Sequence, residues 1–158
     1  MRLYKIIASG LGSGYSPVAP GTAGSIVGVV LLYLFNLLLI NVGFDKTGTC
    51  LLNLIAIVLS VFIGVAAIKK VHTIWQHDAP SIVIDEIAGV WITAFMIPLN
   101  WKYYLYALII FRFFDILKPL YIRKLDNLKS DWSVMLDDLL AGLYGFVVLQ
   151  LLIYFNIV

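Results

Sequence analysis

The chain has 158 residues, of which 62% are hydrophobic and 13% charged, with a formal net charge of +2. Soluble domains carry about 45–50% apolar and about 25% charged residues. A chain this short has too little interior to hide the excess, so a soluble globule is excluded and a bilayer is the solvent that fits. The small net charge, with no long basic run, excludes a nucleic-acid-binding surface.

The length corresponds to one domain, 1–158. The N-terminal MRLYKIIASGLGSGYSP is basic and mildly apolar, without the long apolar run of a signal peptide. Residues 10–25, GLGSGYSPVAPGTAGS, combine glycines that admit close backbone approach with stiffening prolines and hydroxyl side chains. Thr22 or Gly21 is expected to cap the first membrane helix, whose N-terminus is a ready anion site. Ser13, Gly14, Gly21 and Thr22 are the candidate phosphate-binding positions. No GK[ST] follows, so this is not a Walker A loop. The plain alternative is a turn leading into a helix.

Five apolar stretches approach the roughly 17–25 residues that a spanning helix needs: 22–40, 51–68, 82–99, 103–120 and 139–157. Cys50, the only cysteine, lies in apolar sequence and reads as a small core residue. His72 and His77 lack the spacing of a zinc motif and read as surface residues, although His77 could touch a head group. Tyr121, Leu125 and Leu128 recur at helical spacing among Arg123, Lys124 and Lys129, with Trp132 following. This pattern suits either a short helix on the membrane surface or a polar loop. The expected fold is all-α: a polytopic membrane helix bundle with about five transmembrane helices and short interfacial helices.

Five spans place eight basic residues (Arg2, Lys5, Lys69, Lys70, Lys118, Arg123, Lys124 and Lys129) on one side, and only Lys46 and Lys102 on the other. The positive-inside rule puts the richer side, and the N-terminus, in the cytoplasm. On that topology Asp85, Glu86, Asp115, Asp137 and Asp138 all fall at one depth beside the inner surface. The orientation rests on the basic residues alone, so the convergence of the acids supports a single site independently. Crowded carboxylates repel, and a hard divalent cation relieves them; Mg²⁺ takes oxygen ligands together with substrate phosphate. Helix dipoles offer a plainer account of the acids at helix N-termini, but not of Asp115, near a C-terminus. Arg112, Asp115 and Lys118 can share one face. They read either as an ion-paired stripe or as a metal ligand flanked by phosphate-gripping cations.

Four blocks resemble the phosphatidylglycerophosphatase A family: GSGYSPVAPGTAGS (12–25), SIVIDEIAG (81–89), FRFFDILKP (111–119) and MLDDLLAG (135–142). Their order and spacing carry the likeness. Tyr121 departs from it, standing where the family pattern has a second proline. The resemblance implies a Mg²⁺-dependent phosphatase of the bacterial inner membrane that converts phosphatidylglycerol phosphate to phosphatidylglycerol and inorganic phosphate. By motif match it implies Asp85, Glu86, Arg112, Asp115, Lys118, Asp137 and Asp138 as functional positions, beside the glycine-rich segment.

The expected roles are Asp85, Asp137 and Asp138 on the metal, Arg112 and Lys118 on phosphate, and Asp115 or Glu86 orienting water. An aspartyl-phosphate route is the rival. The competing classes are a carboxylate-lined transporter, another lipid phosphatase or phosphotransferase, and a membrane scaffold. Transporters tend to bind at the midplane rather than at one surface. The Asp-Gly spacing typical of the phosphotransferases is absent. The sequence assigns no oligomeric state.

Overall fold

The structure, a computed structural model, describes residues 1–76, 79–126, 128 and 130–158, except for the side chain of Asp126. His77 and Lys129, which figure in the expectations above, lie outside the described residues. The elements are α1 (Arg2–Ala8), a 3₁₀ turn (Ser13–Tyr15), α2 (Pro20–Val42), α3 (Lys46–Val71), α4 (Ile84–Thr93), α5 (Trp101–Leu117), α6 (Ile122–Asp126) and α7 (Asp131–Tyr154). Among the described residues there is no strand, as the composition leads one to expect.

The first two predicted spans appear as α2 and α3, each extended at its ends. α2 begins at Pro20, with Ala19 as N-cap in the left-handed region and no side-chain cap, so neither Thr22 nor Gly21 caps it. Proline suits the first helical position because its missing N–H would be unpaired there anyway. α3 starts at Lys46 because the Asp45 carboxylate accepts the Gly48 N–H at 2.8 Å. α7 starts at Asp131, well before the predicted 139. A reciprocal capping box between Ser130 and Ser133 nucleates it there. Asp137 and Asp138 are therefore inside a helix rather than ahead of one.

The expectation of about five transmembrane helices is somewhat more than the structure shows. Among the described residues, α2, α3 and α7 are long and apolar enough to cross a membrane by length and composition. α5 has 17 residues and α4 only 10. At 1.5 Å per residue α4 reaches about 15 Å, half of a hydrocarbon core of about 30 Å. It stops because Met96 takes a positive φ of 61° and Pro98 offers no backbone donor. The irregular 94–100 connection is stabilised from α7, where Gln150 Nε2 donates to the Phe95 carbonyl at 3.0 Å. Asn100 then caps α5 by accepting the Lys102 N–H at 3.1 Å.

α4 packs on α2 on one side and most extensively on α7 on the other. Both contacts depend on small residues. Gly24 and Gly28 of α2 admit Val83, Ile87 and Val90. A Cβ on Gly142 of α7 would strike the carbonyl oxygen of Gly89 of α4, so the two backbones touch. Thr93 continues the seam: its hydroxyl donates to the Gly142 carbonyl at 3.1 Å, and its side chain fills the space beside Gly145. Trp91 Nε1 ties α4 to α2 by donating to the Gly28 carbonyl at 2.7 Å.

Leu34, Val58, Phe62, Val147 and Leu151 remain exposed. An apolar outer surface of this kind suits lipid rather than water. The short α6 buries Ile122 and leaves Tyr121 and Leu128 exposed. Trp132 belongs to α7 and meets Phe62 edge-on at 6.3 Å between centroids.

Gly142→Ala is expected to force α7 away from α4. Overpacking of a close contact costs about 1–3 kcal/mol. A lowered thermal midpoint in detergent checks this, and an unchanged midpoint would remove the seam from the account of the fold.

Candidate active site

Five helix ends meet at one end of the bundle. α4 contributes Asp85 and Glu86 in its first turn, where negative charge suits the helix dipole. Its start is fixed by Val83, whose N–H donates to the Ala8 carbonyl of α1 at 2.8 Å. α7 contributes Asp137 and Asp138, about two turns into the helix. α5 contributes Arg112 and Asp115, then ends at Lys118 in a left-handed conformation ahead of Pro119. α2 contributes Gly21 at its N-terminus, where a Cβ would collide with the Glu86 carboxylate and crowd Arg112 Nη1. The C-terminal end of α3 arrives through His72, whose Nδ1 lies 2.5 Å from Asp131 Oδ1.

The glycine seam sets the register of this site. Gly89 is one helical turn beyond Asp85, and Gly142 is one turn beyond Asp138. Both helices run away from the same end, so locking Gly89 on Gly142 sets Asp85 opposite Asp138. Carboxylate oxygens of Asp85, Glu86 and Asp138 all lie within 4.8 Å of one another. Asp85 and Asp138 are 5% and 4% exposed, so water does little to screen them. Successive residues on a helix point about 100° apart. Asp137 therefore diverges from Asp138 and accepts a hydrogen bond from Lys118 Nζ at 2.7 Å. Arg112 Nη1 lies 2.5 Å from Asp115 and 3.9 Å from Glu86.

Among the buried atoms at this site, Glu86 Oε2 and Arg112 Nε have no hydrogen-bond partner. An unspent acceptor and an unspent donor side by side suit a ligand that carries both a cation and an anion. Three crowded carboxylates fit a hard divalent cation, which takes oxygen ligands.

All seven charged residues singled out from sequence are at this end. The grouping differs from expectation: Glu86, rather than Asp137, joins Asp85 and Asp138. Asp137 pairs with Lys118. Of the four glycine-segment candidates, Gly21 abuts the site, and Thr22 follows it in the first turn of α2. Ser13 spends its hydroxyl on the Gly10 carbonyl at 2.8 Å, and Gly14 presses on the backbone of Ser81, so these two shape the loop. His72, expected at the surface, is largely buried in its pair with Asp131. Its sequence signal was weak, because the two residues are 59 positions apart.

Fold and site together define a helical membrane protein with an acid-rich cluster, flanked by arginine and lysine, at the ends of its helices. The sequence profile of the phosphatidylglycerophosphatase A family matches residues 6–153, and the chain belongs to that family. It is 39% identical over 146 residues to phosphatidylglycerophosphatase A of Haemophilus influenzae, covering 90% of this chain and 84% of the relative. It is 34% identical over 142 residues to the Escherichia coli protein of the same name, covering 88% and 77%. It is also 40% identical over 147 residues to a Bacteroides thetaiotaomicron protein whose name provisionally assigns phosphatidylinositol-3-phosphatase activity, covering 91% and 89%. No solved structure matches the chain.

The trio makes a binding prediction independent of turnover. Purified protein is expected to bind Mn²⁺, a spectroscopically visible divalent ion, and Glu86→Gln is expected to weaken binding by about 10-fold or more. Paramagnetic resonance of the free ion measures this, and equal binding by the variant would remove Glu86 from the cation site.

Proposed function

We propose that the chain hydrolyses the terminal phosphate monoester of phosphatidylglycerol phosphate, releasing phosphatidylglycerol and inorganic phosphate, with Mg²⁺ as cofactor. The observation that carries the reading is the buried trio Asp85, Glu86 and Asp138 beside an arginine with an unspent donor. Family membership supports the lipid class. In the proposed setting the protein is multi-pass in the bacterial inner membrane, with its N-terminus and site cytoplasmic. The excess of basic residues at the carboxylate end supports that orientation.

A phosphate monoester brings up to two negative charges, so the site must neutralise them, align a nucleophile opposite the leaving oxygen, and allow that oxygen a proton. In this reading Asp85, Glu86 and Asp138 hold the cation, which when bound offsets phosphate charge and acidifies water. Arg112, fixed by Asp115, directs its free Nε donor at a phosphate oxygen. Lys118, held by Asp137, adds a second positive charge at the same end. Glu86 Oε2 is the acceptor left to orient the attacking water. The N–H groups of Gly21 and Thr22, in the unpaired first turn of α2, face the same end and favour an anion. Asp137 thus moves from metal ligand to lysine anchor, and Asp115 from water activation to arginine anchor.

The relative named for phosphatidylinositol 3-phosphate favours a second reading, in which the monoester sits on an inositol ring. Both lipids present the same phosphate chemistry, so parallel assays on the two substrates decide between them.

Asp138→Asn in detergent-solubilised protein is expected to lose phosphate release while expression and thermal midpoint stay near wild type. Arg112→Ala is expected to lower kcat by about 10²–10³. Chelator should stop the reaction and added Mg²⁺ restore it. Wild-type turnover by Asp138→Asn, or in excess chelator, would overturn the mechanism.

A further inference from the structure

The end of the bundle opposite the carboxylates contains a half-open cavity of about 720 Å³. It exists because α2 and α3 diverge from their short 43–45 connection with little contact, and because α4 stops at Thr93. Tyr104, on its wall, lies 11 residues before Asp115 on α5, about 16 Å away along the helix. The cavity is therefore separate from the site above.

Most of its wall is apolar, including Ile40, Leu54, Ile97 and Leu99. Its floor is a buried polar chain linking three helices. Asn53 Nδ2 donates to Asn36 Oδ1 at 2.8 Å, and Asn36 Nδ2 donates to the Tyr104 hydroxyl at 2.7 Å. The chain leaves one amide atom over: Asn53 Oδ1 has no hydrogen-bond partner, although Asn53 is only 7% exposed. Reversing both amides preserves the chain, since Asn36 Oδ1 then accepts from Tyr104, and leaves Asn53 Nδ2 as the spare atom. Thr49 Oγ1, one turn earlier on the same face of α3, is also buried and unpartnered. Burying two such groups costs about 1–3 kcal/mol each unless something meets them. Lys46, one turn earlier again, lines the cavity too. The α3 N-terminus itself is already occupied by Asp45, through the Gly48 N–H.

From its mouth inward, this face of α3 offers a cation, then hydrogen-bonding groups, with apolar wall around them. A phospholipid has the same order: phosphate, ester, acyl chain. We propose that the cavity is a phospholipid-binding site for the leaflet opposite the carboxylates. Lys46 pairs with the lipid phosphate. The Thr49 hydroxyl and the reversed Asn53 amide donate to an ester carbonyl, and one acyl chain lies along Leu54, Ile97 and Leu99. A free anion would leave that apolar wall uncovered.

The test uses the full chain in mild detergent with dioleoyl phosphatidylethanolamine, which has no terminal phosphate monoester and cannot be a substrate of the other site. Native mass spectrometry is expected to find a single retained lipid per chain. Thr49→Val removes a donor and is expected to lower retention roughly fivefold or more, the effect of one lost hydrogen bond. Ile97→Trp fills the cavity from the 94–100 connection and is expected to do the same, so the result does not depend on one variant folding. Phosphate release should be unchanged in both. A wild-type chain that retains no phospholipid, retention that survives both substitutions, or a second protein chain seated in the cavity would each overturn the proposal.

Discussion

Charge buried in an apolar chain is costly unless it is compensated, and the way this chain compensates its charges organises one whole end of the bundle. Five carboxylates and two cations meet there. Two of the acids hold the bases: Asp115 holds Arg112, and Asp137 holds Lys118. The other three crowd one another, and Arg112 approaches one of them, Glu86, at 3.9 Å. Three carboxylate groups brought this close are a group that could hold a metal ion. The bases are anchored beside them by their own carboxylate partners.

Such an arrangement needs helices held at a defined depth, and large side chains cannot provide that as tightly as backbone contact can. α4 and α7 touch through Gly89 and Gly142, one turn beyond Asp85 and Asp138. Gly24 and Gly28 bring α2 equally close to α4 on its other side. Without a hydrophobic driving force between helices in lipid, close packing of small residues and interhelical hydrogen bonds hold the bundle. The bonds from Thr93 to Gly142 and from Trp91 to Gly28 are of this kind. The seam thus acts at both levels: it supplies packing energy, and it sets which carboxylates face each other.

Much of this was legible in the sequence, and the parts that were not have physical reasons. Hydropathy located α2 and α3, because long apolar runs report length directly. The convergence of the five carboxylates at one end holds with three candidate spans as with five, because α4 and α5 together leave that end and return to it. Hydropathy could not tell that 82–99 is part helix and part irregular connection, because the apolar run continues through both; Pro98 was the signal in the sequence, and the positive φ of Met96 shows only in the structure. It also could not separate Asp137 from Asp138. Their divergence depends on α7 already being helical there, which the Ser130–Ser133 box decides. The close packing of Gly24 and Gly28 against α4 went unread in the sequence and shows only in the structure. Asn36, Asn53 and Tyr104 are uncharged, so a search for charge in the spans passes over them, and their pairing joins residues 17 and 68 positions apart.

The shortness of α4 connects the two ends of the molecule. A full-length helix in its place would carry the glycine seam across the bundle and fill the space beside α2 and α3 with its own side chains. Because α4 ends at Thr93, its N-terminus can sit buried at the carboxylate end while the chain still turns back within the bundle to begin α5. The backbone exposed by that turn must be satisfied inside protein rather than by lipid, which is the service that Gln150 renders to Phe95. The space left beyond the turn is closed on its floor by a polar chain instead of an apolar core. One early helix stop therefore accounts for both the buried start of the acidic cluster and the open cavity at the far end.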